Sequence, residues 1–183
     1  MRISKTMTLI PGLLICLSVA LDSQAQSQKD MSAVHARLQK EVRHELLMLP
    51  NYTLFDILQF EITDVDTVVL SGQVMRPALK SDAESAVRRL EGVGKVVNKI
   101  EVLPLMPDDD RIRRAAFRAV YSAQGLERYA LQSIPPIHII VKNGTITLVG
   151  VVANQMDKDL AGIAARGVPG TFGVTNNLMV EKR

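Results

Sequence analysis

The chain reads as an α+β protein built from two tandem copies of one small domain, each with the order helix, strand, strand, helix, strand. Three observations predict this. The segment VVLSGQVMRPALKSDAESAVRRLEGVGKVVNKIEV, Val68 to Val102, realigns without a gap on ITLVGVVANQMDKDLAGIAARGVPGTFGVTNNLMV, Ile146 to Val180. In both segments strand-like alternation gives way to helical spacing and then returns. The identical pairs include Leu70/Leu148, Gly72/Gly150, Ala83/Ala161, Gly92/Gly170, Val96/Val174 and Asn98/Asn176. Most are glycines or apolar residues, so what is duplicated is a scaffold rather than a catalytic set.

Before the repeats comes an expected address. Arg2 and Lys5 precede an apolar run from Met7 to Ala20, and a polar stretch with few charges follows; this is the order of a secretory signal. The run is too short to span a bilayer comfortably. Small residues suit cleavage after Ala20 (Ser18, Ala20) or after Ala25 (Ser23, Ala25), and the second is preferred, giving a signal peptide at 1–25 and export to the periplasm. Cys16, the one cysteine, lies in this run; lipidation there is disfavoured by Ile15 and by the short segment before it. The mature chain would then hold no thiol and no disulfide scaffold.

Residues 26–107 carry ten Lys/Arg against eleven Asp/Glu, and residues 108–183 ten against seven. So small a basic surplus falls short of a nucleic-acid footprint, yet it biases the second half toward anionic headgroups or cell-wall polymers.

The first domain, 30–103, opens with a helix whose apolar stripe is Met31, Val34, Leu38, Val42 and Leu49, ended by Pro50. Strands Leu58–Thr63 and Thr67–Val74 follow, joined by a short acidic connection, Asp64 to Asp66. A helix from Pro77 to about Glu91 has proline at its first position and Gly92 after its end. Val96 to Leu103 is the last strand. A linker at 104–107 leads to the second domain, 108–182. There Asp108, Asp109 and Asp110 are expected to cap a helix running from Asp109 to about Gln124. The pair Asn143-Gly144 joins strands Ile137–Val141 and Thr145–Val152 as a hairpin, and a helix Gln155–Arg166 and a strand Val174–Glu181 complete the copy.

The search for chemistry points away from an enzyme. His44-Glu45 matches the start of a zincin helix, but Met48 stands where the second metal ligand belongs. The run Asp108 to Asp110 lacks the spaced ligands and glycine of a calcium loop. No nucleophile elbow, phosphate-binding glycine loop or cysteine nucleophile is present in the expected mature chain. No cofactor or small-molecule substrate is expected.

The element order, the strand glycines in LSGQV and LVGVV, the alanine-bearing helices and the closing GVGKVVNKIEV and GTFGVTNNLMV together resemble two BON domains. That family includes an osmotically induced periplasmic protein and related envelope proteins. The second copy departs from the pattern by having Thr171 and Phe172 after Gly170. The resemblance implies, for each αββαβ unit, a three-stranded mixed sheet covered on one face by two helices. It also implies an envelope location and affinity for phospholipid membranes, without catalytic residues.

Two surfaces of the second copy are candidate sites. A helical wheel puts Ile112, Ala116, Ala119, Val120 and Ala123 toward the core, Arg111, Arg114, Arg118 and Tyr121 on the far side, and Arg113 and Phe117 on one flank. Cations beside aromatics suit an anionic phospholipid surface. On the following helix Met156, Leu160 and Ile163 replace Ala78, Asp82 and Ser85 of the first copy, an apolar stripe that needs a cover; packing between the domains is the simplest, with a second chain or lipid as the others. The expectation is a non-enzymatic envelope protein that binds membranes peripherally and supports envelope integrity or osmotic-stress tolerance. The alternative is an adaptor or chaperone-like factor for envelope proteins.

Overall fold

The computed structural model describes residues 16–63 and 66–182, with side chains from residue 32 onward. The apolar run and basic residues of the expected signal at 1–15, and most of the acidic connection after the first strand, lie outside the described residues. The chain divides into two units, Met1–Lys40 and Glu41–Arg183. The described backbone of the first unit is helical, within α1 (Cys16–Leu47). This helix begins earlier than its apolar stripe suggested and includes Ala20 and Ala25. Val34, expected in the stripe, is exposed, and Leu46 is buried beside Val42 on the helical spacing of four.

In the second unit, the first repeat continues with β1 (Ile57–Ile62), β2 (Thr67–Val74), α2 (Pro77–Arg88), β3 (Lys95–Asn98) and β4 (Glu101–Val102). β1 pairs antiparallel with β2, while β3 and β4 both run parallel to β2. The expected single last strand is thus broken at Lys99 and Ile100. Next to the break, Asn98 Oδ1 accepts from the Ile100 amide at 3.1 Å while its Nδ2 donates to the Lys80 carbonyl at 2.9 Å. Asn176 repeats the arrangement, bonding Leu178 N–H and the Lys158 carbonyl. These paired asparagines pin the last strand to the preceding helix.

The second repeat contains α3 (Pro107–Tyr121), a 3-10 helix (Glu127–Leu131), β5 (Ile137–Lys142), β6 (Thr145–Val152), α4 (Gln155–Arg166) and β7 (Gly173–Val180). Its sheet order is β5-β6-β7, antiparallel then parallel. The architecture is α+β, two mixed sheets with helices. The 3-10 helix was not expected from the sequence. It is tied down by Tyr129, whose hydroxyl donates to the buried Asp157 carboxylate at 2.6 Å and accepts from Ala153 N–H at 2.8 Å. Arg128 pairs with the same carboxylate.

Gly72 and Gly150 show why glycine recurs in the middle of the second strand. Their φ angles are 120° and 139°, a region that side chains avoid. A Cβ at Gly72 would lie 2.0 Å from the Ile57 carbonyl oxygen, and one at Gly150 would lie 1.8 Å from that of Pro136. The requirement is set by the neighbouring strand's backbone, not by a helix approaching the sheet.

Both strands of the β5–β6 hairpin are dominated by apolar residues, but β5 is buried on both faces. Ile137, Ile139 and Val141 join the core with Ile112, Ala116 and Val120. His138 and Ile140, on the opposite face, are also buried. Burial on both sides explains why apolar residues occupy both faces of β5, where alternation is the rule for a half-exposed strand.

Candidate functional site

The exposed face of α3 holds Arg111, Arg114 and Arg118, placed together by helical spacing of three and four. Arg111 pairs loosely with Asp108 at 3.3 Å. Among the described residues Arg114 and Arg118 have no ion-pair partner. Proline at the first helical position starts α3, and Met106, which makes no side-chain cap bond, stands before it. The three aspartates therefore do not cap the helix through Asp108. Their charge lies in its first turn, where it favours the helix dipole.

Asp109 has a different task from the one its position suggested. Its carboxylate is 1% exposed and accepts from Asn143 N–H at 2.9 Å and Gly144 N–H at 2.7 Å. It clamps the β5–β6 turn, where Asn143 and Gly144 have φ of 51° and 73°. Arg113, expected on the flank, is buried as well. It pairs with Asp110 and donates to the Val141 carbonyl at 2.8 Å.

Tyr121 must be removed from the exposed set. It is 6% exposed, and its hydroxyl donates to the Ile137 carbonyl at 2.6 Å. Burial pushes its pKa up, against the smaller opposing effect of that bond. The buried stripe of α3 is rotated toward the Arg113 flank relative to the wheel, because Ala119 and Ala123 are only half-buried while Arg113 and Tyr121 are covered. Phe117 remains 37% exposed, with its ring 5.2 Å from Tyr121 and 6.4 Å from Phe55. It marks the junction with the first repeat.

At the N-terminal end of α3 an open groove of about 540 Å³ is lined by Met106, Asp108, Asp109, Arg111, Ile112, Asn143, Gly144, Gly170 and Phe172. Phe172 is 88% exposed and lies over the hairpin turn, so that a Cβ on Gly144 would fall 2.6 Å from its ring. Its amide donates to the Gly144 carbonyl at 2.8 Å. Leu105 and Met106 are also exposed. These three apolar residues were missed in the sequence. The available signal was the departure Thr171-Phe172, since Phe172 stands where the first copy has Gly94.

The stripe on α4 is not continuous. Met156 and Ile163 are exposed, but Leu160 is half-buried against the core of its own repeat. The first repeat makes its contacts elsewhere, through Tyr52–Asp56. Leu54 and Phe55 pack against the second core, the Leu54 carbonyl accepts from Ile139 N–H at 2.8 Å, and the Asp56 carbonyl accepts from His138 Nδ1–H at 2.6 Å. Lys142 reaches Glu101 at 2.6 Å. Hydrogen bonds from Gln73, then from Lys142, hold the Glu101 carboxyl below its usual range. The expected cover of the α4 stripe by the other domain is therefore not found.

Among the described residues no group of histidine, cysteine, aspartate and glutamate is arranged to hold a metal ion, and no helix is long and apolar enough to cross a membrane.

Comparison with known proteins gives three findings. No curated protein matches the chain. Among solved structures, the C-terminal domain of CdsD, a structural protein of the type III secretion system of Chlamydia trachomatis, is similar at 12% identity over 78% of this chain and 96% of that one, with a TM-score of 0.32. A second structure of CdsD from the same organism is similar at 12% identity over 80% and 94%, with a TM-score of 0.30. The BON domain family model matches twice, at residues 35–104 and 108–182. BON domain proteins are generally envelope or periplasmic proteins, and BON domains in general bind membranes or other proteins. The chain thus belongs to the BON domain family, as a tandem of two BON domains.

Proposed function

We propose that this is an exported, non-enzymatic protein of the periplasm whose second BON domain docks on anionic phospholipid surfaces, supporting envelope integrity under osmotic stress. The observation that carries this reading is the exposed row Arg111, Arg114 and Arg118, which ends at a groove rimmed by Met106 and Phe172. Guanidinium groups bind phosphate in a fork geometry, while exposed phenylalanine, leucine and methionine side chains enter the headgroup boundary. Each basic residue near an anionic surface contributes on the order of 1 kcal/mol. The reading assigns the first BON domain a structural role, covering β5 rather than meeting lipid.

Flotation of the protein with neutral vesicles and with vesicles containing anionic lipid, at low and high salt, tests it. Binding is expected only to the anionic vesicles and is expected to weaken with salt, since the charges are exposed and screened. Equal binding to both vesicle types, or none to either, would overturn the assignment.

A second reading, a periplasmic adaptor for envelope proteins, is favoured by one feature. Met156 and Ile163 are 71% and 60% exposed on α4, a different helix from the one that carries the basic row. Replacing both with serine would abolish partner binding under this reading and leave vesicle binding intact.

A further inference from the structure

The two repeats meet at a titratable group. His138 lies on β5 with 8% of its surface exposed, and its environment is assembled by the first repeat. Because a carbonyl oxygen can only accept, the 2.6 Å bond to Asp56 fixes the ring proton on Nδ1. Tyr52 lies beside the imidazole, with ring centroids 5.7 Å apart. The next strand residue donates the Ile139 amide to Leu54, so the histidine and the backbone bond hold the same short segment. The equivalent residue in the first copy, aligned by Leu58 opposite Gly72 and Ile137 opposite Gly150, is the exposed Gln59.

We propose that His138 is an acid-sensitive latch, whose protonation releases the Tyr52–Asp56 segment from β5 and loosens the pairing of the two BON domains. A second proton would enter at Nε2 and create a cation at a junction closed from solvent. The Asp56 carboxylate already accepts from Thr53 N–H, Thr53 Oγ–H and Met75 N–H. Tyr52 is pushed up to about 12 by burial and stays neutral. Lys142, on the same strand, is paired with Glu101 of β4.

Burial lowers the imidazole pKa, and the Asp56 carbonyl, the Asp56 carboxylate and the Thr53 carbonyl oppose that without reversing it. An opened histidine titrates near the ordinary value, about 6.5, so the open form takes up protons first as pH falls. The latch is therefore fully closed above that value and weakens below it. Between pH 7.5 and 5.0 the closing equilibrium falls by up to about 30-fold.

The test is residue-resolved hydrogen exchange of the protein at pH 7.5 and 5.0, corrected for intrinsic rates, in the wild type and in His138→Asn, which keeps a donor near Nδ1 but cannot titrate. Protection of the Ile139 amide is expected to fall about tenfold or more in the wild type at pH 5.0, with Leu148 in β6 unchanged, and to be independent of pH in the variant. Constant protection in the wild type, or the same fall in the variant, would overturn the proposal. If the variant is unprotected at both pH values, titration of the His138 ring by NMR in the wild type decides. A midpoint below that of a free histidine, coinciding with loss of Ile139 protection, supports the latch; a midpoint at or above it contradicts the latch.

Discussion

The two BON domains differ least where they are scaffold and most where they face outward. Gly72 and Gly150 meet the same neighbouring carbonyl, and Asn98 and Asn176 make the same bonds. At the outward-facing positions the copies diverge. The outer face of β1 presents Gln59 and Glu61, whereas the aligned positions of β5 are His138 and Ile140, both buried. Gly94 of the first copy corresponds to the exposed Phe172 of the second, and Asp82 and Ser85 correspond to Leu160 and Ile163. Duplication kept the constraints that the backbone imposes and left the surfaces free to specialise. The first copy became a cover for β5, and the second acquired both the covered strand and the basic, apolar-rimmed edge.

Substitutions can break this comparison at graded cost. The largest effect is expected at the shared glycines. Gly72→Ala or Gly150→Ala brings a methyl group against a carbonyl oxygen at an unfavourable φ, and each should destabilise its own domain by about 3 kcal/mol or more. Urea unfolding with a probe in each domain reads this, and tolerance of alanine in one copy would show that the constraint is not shared. Next is Asp109→Ala, which removes the acceptor for two turn amides and should cost about 2 to 4 kcal/mol in the second domain. Asp109→Asn, retaining one acceptor, should cost less by the same measurement.

Smaller effects sharpen the functional side. Tyr121→Phe removes one buried hydroxyl bond and should cost about 1 kcal/mol of stability, with vesicle binding unchanged; a loss of binding would return Tyr121 to the lipid-facing set. The smallest belongs to Lys142→Met. The Lys142–Glu101 pair is partly exposed, so its loss should cost less than about 1 kcal/mol in thermal unfolding. Because the folded Glu101 pKa is depressed, the contribution is present above the ordinary glutamate range and lost as pH falls through the folded value. Wild type and variant should therefore converge in stability at strongly acidic pH.

Element order, both hairpins and the limits of β2, β6 and α4 were legible in the sequence because local signals and tertiary packing agree there. Asn143-Gly144 specifies its turn, Pro77 starts its helix, and apolar spacing marks the faces. What escaped was set by the junction between the copies. A helical wheel assumes one covered side, but α3 is covered on two, by its own sheet and beside Phe55, so Tyr121, expected on the far side, is buried; Arg113, expected on the flank, is covered by its bonds to Asp110 and Val141. The run Ile137–Val141, apolar except for His138, carried the information that β5 is buried on both faces. The segment Tyr52–Asp56 carried no pattern that revealed its role, because its contacts are a backbone carbonyl here and an aromatic edge there. In the candidate site the three arginines were legible from spacing. Met106 and Phe172 were not, since they meet at one groove only through the loop that lies over Gly144.

The second domain, and not the first, is expected to meet the membrane. Flotation on anionic vesicles of Arg114→Glu/Arg118→Glu beside Arg88→Glu/Arg89→Glu tests it most directly, because both pairs are exposed and change the net charge equally. Reversal on α3 is expected to weaken binding by about 2 to 4 kcal/mol, roughly 30- to 1,000-fold, and reversal in the first domain to change it less than about threefold through long-range charge alone. Equal losses from the two pairs would contradict the claim and reduce the attraction to one of overall charge.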